Sequence, residues 1–220
     1  MRTNTEYKNA ALAALKGNWA PAVLLSVLLF LITGALMTPQ YAVNITNPAA
    51  TPLILGLFCG FTVASILLIY PLTYIGYYNS CRFLYENGDD QMISNCFKLT
   101  FNNYWHNVWV CLLMMIKIFL WALLFLIPGI YKALCYSMAP YIAIDHPELS
   151  AKETIAMSRQ MTKGHVWDLL WLGLSFIGWI ILGFFTLGIG YFWLYPYMYT
   201  TFAAFYGDLK AEYLVGNSEA

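Results

Sequence analysis

Residues 107–145 read NVWVCLLMMIKIFLWALLFLIPGIYKALCYSMAPYIAID, and in these 39 residues Lys117 and Lys132 are the only charges before Asp145. A hydrocarbon core about 30 Å thick takes roughly 20 helical residues, so the stretch is long enough for two crossings. Ile127-Pro128-Gly129-Ile130 supplies a tight turn between them. The first crossing is read at 107–127 and the second at 128–145. The uninterrupted apolar run of the second covers only 133–144. It reaches spanning length if Pro128 opens the helix and Lys132 snorkels outward.

Working outward, the same pattern recurs at 166–185 and 187–207, joined by Leu187-Gly188-Ile189-Gly190, and at 20–37 and 53–76. These runs are continuous, whereas a membrane barrel needs alternating strands of about ten residues. The expected fold is therefore all-α: a polytopic helical bundle of about six spans in three hairpins, forming one domain over 1–220. Ala35-Leu36-Met37-Thr38 is a poor cleavage site, and the first run reads as a retained span.

Composition agrees. The chain is 60% hydrophobic and 10% charged, against about 45–50% and 25% in ordinary soluble domains. Eleven basic and eleven acidic residues leave no net charge, so there is no polycationic surface for nucleic acid. Five cysteines without a C-x-x-C pair make neither a disulfide framework nor a zinc motif.

Orientation follows from the basic residues. Arg2, Lys8 and Lys16 precede the first span, Arg82 and Lys98 follow the second, Lys152, Arg159 and Lys163 lie between the fourth and fifth, and Lys210 is in the tail. All nine fall on one side. The loop 38–52 and the two tight turns, on the other side, carry no charge. Both termini, including a tail at 208–220, are expected in the cytoplasm.

An amphipathic segment precedes each hairpin, at 3–16, 90–103 and 150–163. Thr3 with Glu6 and Ser150 with Glu153 have capping-box spacing, and Gly17 and Gly164 suit left-handed helix ends. Asn102-Asn103 is the expected stop of the middle segment. A tryptophan follows each (Trp19, Trp105 and Trp167), as expected of anchors at headgroup level. The second span of each hairpin carries a proline: Pro71, Pro140 or Pro196. The order of interfacial helix, tryptophan, span, turn and proline-bearing span occurs three times, which raises an internal triplication as a reading without deciding it.

Residues that could carry chemistry are few. Lys117 lies about 12 residues past Trp105, roughly 18 Å along a helix, with no acid at its depth. An intramembrane lysine faces the bundle interior or a wet cavity, and either a structural role or a contact with an anionic group satisfies that. Tyr70, Tyr74, Tyr77 and Tyr78 share one helix face, and Tyr191, Tyr195 and Tyr199 another. They read as interhelical hydrogen-bond donors and belt residues, or as the walls of a hydroxyl-lined cleft with Lys117 as its positive pole. The candidate polar cleft is accordingly Lys117, Tyr74, Tyr195 and Tyr199. Gly56, Gly60 and Ala64 have the small-x-x-x-small spacing that permits close helix approach.

His106, His146 and His165, near Asp145 and Asp168, lack ligand spacing for a metal. Ser137 and Ser175 have no histidine at their depth to act as base. Asn44-Ile45-Thr46 is a glycosylation sequon. No phosphate-binding glycine loop is present, and no catalytic residue, cofactor or metal is expected.

The run of roughly 120–208, with Ile127-Pro128-Gly129-Ile130, Met161-Thr162-Lys163-Gly164, Leu174-Ser175-Phe176-Ile177-Gly178-Trp179 and Pro196-Tyr197, resembles a family of bacterial multi-span membrane proteins known as a domain of unknown function. That family is distantly similar to the membrane part of some glycerophosphodiester phosphodiesterases, whose catalytic barrel has no counterpart here. The resemblance implies a bacterial cytoplasmic (inner) membrane and no catalytic role. The expected function is a non-catalytic membrane or lipid-interacting protein. The alternative is a small transporter or channel for an amphiphile or anion with Lys117 in its path. The expected partners are the lipid bilayer, with a bound lipid, a second copy of the chain or another membrane protein left open.

Overall fold

The computed structural model describes residues 1–43, 67–88 and 91–218, with Gly56, Gly60, Thr62, Val63 and Ser65, and gives backbone alone for 35–43 and 217–218. The Asn44 sequon and nine of the 24 residues of the expected span 53–76, Ala64 among them, lie outside the described residues.

Helix α1 (Asn4–Leu15) opens on the expected capping box. The Glu6 amide donates to Thr3 Oγ1 at 3.4 Å, and the Thr3 amide donates to Glu6 Oε2 at 2.6 Å. Gly17 at φ +92° then turns the chain, in the left-handed region where glycine carries no Cβ penalty. The chain thus enters α2 (Trp19–Val43) at 95° to α1.

Pro71 precedes a π-helical turn, Leu72–Tyr77, that runs into α3 (Tyr78–Asn87). A proline removes the amide that would bond the carbonyl four residues back. Here that carbonyl belongs to Leu67, and the Tyr104 hydroxyl donates to it at 2.9 Å. Gly88 at φ +65° ends α3.

Helix α4 (Met92–Asn102) stops at the expected asparagines. Its last carbonyls are capped from the next helix, α5 (Tyr104–Leu124), where Asn107 Nδ2 donates to Leu99 and Thr100.

The expected span 128–145 is two helices, α6 (Leu126–Tyr136) and α7 (Ala139–Asp145). The break falls at Ser137, whose hydroxyl donates to the Leu134 carbonyl at 2.7 Å. The Cys135 carbonyl at the break accepts from Ser158 at 2.9 Å and Thr162 at 3.3 Å, which ties α8 (Ala151–Met161) across it.

The stretch 166–185 breaks in the same manner at Ser175, between α9 (Val166–Leu174) and α10 (Ile177–Phe185). Ser175 Oγ donates to the Leu172 carbonyl at 2.6 Å. The Ser175 carbonyl accepts from Lys8 Nζ at 2.9 Å, and the same ammonium sits 4.5 Å over the Phe176 ring. A turn at Thr186–Gly190, with Leu187 and Gly188 at positive φ, leads to α11 (Tyr191–Ser218), which carries Pro196 inside it.

Among the described residues the fold is helical without strands. Tyr104–Leu124 and Val166–Phe185 are long and apolar enough to cross a membrane, and the bent pair Asn4–Leu15 with Trp19–Gly34 makes a third if counted as one.

The buried residues fall into three adjoining clusters. One joins Tyr7 of α1, Tyr141 of α7 and Phe205 of α11. A second joins Leu25 of α2 to Cys81 and Met92. The third packs Ile75 against Val110 and Cys135. Between the π turn and α4 the helices touch through Gly76: a Cβ there would lie 2.6 Å from the Cys96 carbonyl oxygen.

Candidate functional site

Two helical faces of tyrosines meet in space. Tyr70, Tyr74 and Tyr78 stand at i, i+4 spacing through the π turn into α3, and their rings stack at 4.3 and 5.6 Å. Tyr191, Tyr195 and Tyr199 do the same on α11, at 5.8 and 6.2 Å. The two ladders join where Tyr78 and Tyr199 approach to 4.3 Å.

Between them and α2 lies a cleft of about 610 Å³, within the 300–1,000 Å³ typical of small-molecule sites. Tyr74, Tyr77 and Tyr78 line one wall and Tyr191, Tyr195 and Tyr199 the other. Ser26, Leu29, Phe30 and Thr33 of α2 form the back, and Leu187-Gly188-Ile189 lies at one end. Nine of the fifteen described lining residues carry a hydroxyl and none of these fifteen is charged.

Most of these hydroxyls are engaged. Ser26 Oγ donates to the Ala22 carbonyl at 3.0 Å, which leaves the Tyr77 hydroxyl to donate to Ser26 at 2.8 Å. Thr33 donates to Leu29 and Thr73 to Ile69, both helix carbonyls of their own segments. Tyr191 donates to the Ile180 carbonyl at 3.0 Å. The hydroxyls of Tyr74, Tyr195 and Tyr199 have no acceptor among the described residues, and of the three only the Tyr195 ring is exposed, at 42%.

The aromatic ladder continues away from the cleft. Tyr141 packs against Tyr78 at 5.8 Å and stacks on Tyr206 at 4.8 Å, and Tyr206 donates to Asp145 Oδ2 at 2.7 Å. Asp145, with 8% of its side chain exposed, also holds Arg82 Nη2 at 2.5 Å and Lys210 Nζ at 2.7 Å. Arg82 is 6% exposed and reaches Glu86 at 3.1 Å through Nε. Asn79, next to it, donates to the Pro140 carbonyl at 2.9 Å. Beside this cluster Arg2 pairs with Asp208, and the Tyr7 hydroxyl donates to the same carboxylate at 2.8 Å. The Arg2 guanidinium, helped by that hydroxyl, holds the Asp208 carboxyl below the usual aspartate range. Helices α1, α3, α7 and α11 are thus clamped together below the cleft by charges spaced up to 206 residues apart.

Of the residues singled out in the sequence, Tyr74, Tyr195 and Tyr199 line the cleft. Lys117 does not; its ammonium lies 5.9 Å from the Tyr136 ring, on the α5–α6 hairpin. Trp105 and Trp167 are two-thirds exposed, while Trp19 borders a second cavity, of about 420 Å³, with Trp179 and Trp193.

The histidines are spread apart. His146 faces Glu148, His165 lies between Asp168 and Glu212, and His106 Nε2 is buried with no partner among the described residues. Among the described residues no group of three or more His, Cys, Asp or Glu side chains is placed to hold a metal ion.

What sequence reading missed is the ion cluster. Arg82 counts there only as a basic residue of a cytoplasmic loop, and Asp145 as the end of an apolar run and a neighbour of His146, with no link between the two.

No curated protein and no solved structure matches the chain. Residues 123–213, from the last turn of α5 into α11, match the model of a family described as a protein of unknown function (DUF975), so the chain is similar to that family over α6–α10, most of α11 and one wall of the cleft.

Proposed function

We propose that this chain is an integral protein of a bacterial cytoplasmic membrane, a bundle of about six spans with both termini in the cytoplasm, and that it binds a lipid-like amphiphile in the tyrosine cleft without catalysing a reaction. The cleft is the observation that carries this reading. Its walls are aromatic and its polar atoms are hydroxyls, and it opens beside apolar side chains: Phe30 on α2 is 63% exposed, and Leu187 at the turn 93%. Soluble monomers rarely expose apolar patches beyond a few hundred Å². Here Trp109, Phe119, Leu123, Ile127, Trp171 and Phe184 are all exposed, as a surface solvated by hydrocarbon requires. The gathering of Arg2, Arg82 and Lys210 at one end of the bundle supports the cytoplasmic assignment of that end.

Among the described residues no lining hydroxyl is paired with a base: Ser26 donates to a helix carbonyl and accepts from Tyr77. This supports a binding role over a hydrolytic one. Lys117 lies on the α5–α6 hairpin and lines neither wall, so an anion path through it gains no specific support.

The test fills the cleft. Thr33 is half-buried and its hydroxyl bonds only its own helix, so Thr33→Phe adds bulk to the cleft at little cost to α2. Native mass spectrometry from mild detergent should find about one tightly held lipid on the wild type and none on Thr33→Phe, at unchanged thermal midpoint. Equal lipid retention by both proteins would remove the cleft from the account.

A further inference from the structure

Resting on that reading, we infer that the occupant of the cleft is uncharged: a single apolar chain ending in a hydroxyl or carbonyl group, held by a hydrogen bond from Tyr195. The class follows from what the walls lack. None of the described lining residues is charged, and Arg82 and Lys210 are paired with Asp145 and Arg2 with Asp208. A phosphate or carboxylate in this space would leave water for a site with no cation among the described lining residues to receive it, and burying an unpaired charge is strongly unfavourable. A neutral headgroup meets no such penalty.

Hydrogen-bonding capacity narrows the class further. The donors of Ser26, Thr33, Thr73, Tyr77 and Tyr191 are already used within the protein. Tyr74, Tyr195 and Tyr199 keep donors with no acceptor among the described residues, and of the three Tyr195 has the most exposed ring and so is the one an entering ligand meets. A ligand group that accepts, such as a glycerol hydroxyl or an ester carbonyl, completes it.

The shape fits an elongated chain. The space runs along α11 from the Leu187-Gly188-Ile189 turn to Tyr199, twelve residues on from Leu187, and a helix rises about 1.5 Å per residue. Phe30 and Phe192, whose rings meet edge-on at 5.5 Å, supply apolar wall for the tail.

Two probes with the same oleoyl chain separate neutral from anionic recognition: 1-monooleoylglycerol and lyso-oleoyl phosphatidylglycerol. Each is titrated onto delipidated protein in a non-ionic detergent, with site occupancy read by native mass spectrometry. The neutral probe is expected to reach half occupancy at a concentration at least about tenfold lower, the ratio that corresponds to 1.4 kcal/mol. Tyr195→Phe, which keeps the ring and removes the donor, should weaken the neutral probe about fivefold, the size of one net hydrogen bond, and leave the anionic one unchanged.

Equal or tighter binding of the lysophospholipid, or a neutral probe indifferent to Tyr195→Phe, overturns the inference. Thr33→Phe distinguishes the two levels. If it abolishes binding of both probes while they bind equally to wild type, the cleft stands as a lipid site and only its neutral selectivity falls. If it affects neither, the cleft reading falls as well.

Discussion

Asp145→Ala is expected to lower stability by about 3 kcal/mol or more, the largest loss from any single side chain outside the apolar core. Removing one partner of a buried ion pair costs about 3–5 kcal/mol because the other charge is left unpaired in a medium that cannot solvate it. Arg82, 6% exposed, is that other charge. It keeps Glu86 at 3.1 Å, which holds the loss toward the lower end of the range. Tyr206 loses its acceptor too, whereas Lys210, more than a third exposed, can turn to water.

Two companions make the cause legible. Asp145→Asn keeps an oxygen for Tyr206 and should lose less. The double replacement Arg82→Met with Asp145→Leu should recover most of the loss, since an apolar pair replaces a desolvated one. Thermal midpoints in one detergent, measured on all four proteins, decide it. An Asp145→Ala protein as stable as wild type would show that the cluster does not hold α3, α7 and α11 together.

Gly76→Val should be nearly as damaging, and by a different route. A Cβ at this position would lie 2.3 Å from Thr100 Oγ1, 2.6 Å from the Cys96 carbonyl oxygen and 2.8 Å from Cys96 Sγ. A side-chain rotation can clear the hydroxyl, but the carbonyl belongs to the backbone of α4, so α4 must move off the π turn. Overpacking of this kind costs about 1–3 kcal/mol, and the branched side chain places valine at or above the top of that range. The displacement also reaches function, because Tyr74 and Tyr77 flank Gly76 on the cleft wall. Lipid retained per protein should fall together with the midpoint. Gly173→Ala on α9, where nothing lies within 4 Å of an added Cβ, is the matched control and should change neither.

Features set by a few neighbouring residues were legible in the sequence. Both capping boxes form, and Gly17 and Gly164 take positive φ, because a cap or a left-handed residue is decided within one helical turn. The tyrosine faces were legible for the same reason, since i, i+4 spacing fixes a face before any partner is known.

The helix breaks at Ser137 and Ser175 were not. Serine in an apolar run is compatible with an unbroken helix and with a side chain that bends it through its own backbone. What selects the break is tertiary: Ser158 and Thr162 on the Cys135 carbonyl, and Lys8 on that of Ser175. The separation of Lys117 from the tyrosines was also illegible, because depth along a helix says nothing about azimuth. The Arg82–Asp145–Lys210 cluster joins residues 63 and 65 positions apart, and no periodicity in one sequence pairs them.

The most direct test of a lipid-binding cleft is photocrosslinking in native membranes at its inner end, away from bulk lipid. Tyr199 is suited to this, because its ring is enclosed by Tyr77, Tyr78 and Tyr195. A p-benzoylphenylalanine placed at position 199 reports by mass whatever occupies the space beside it after illumination. The account predicts a lipid-sized adduct at this position, absent when Thr33→Phe is introduced in the same chain. Crosslinks to protein alone, with no lipid adduct in the otherwise wild-type chain, would contradict it.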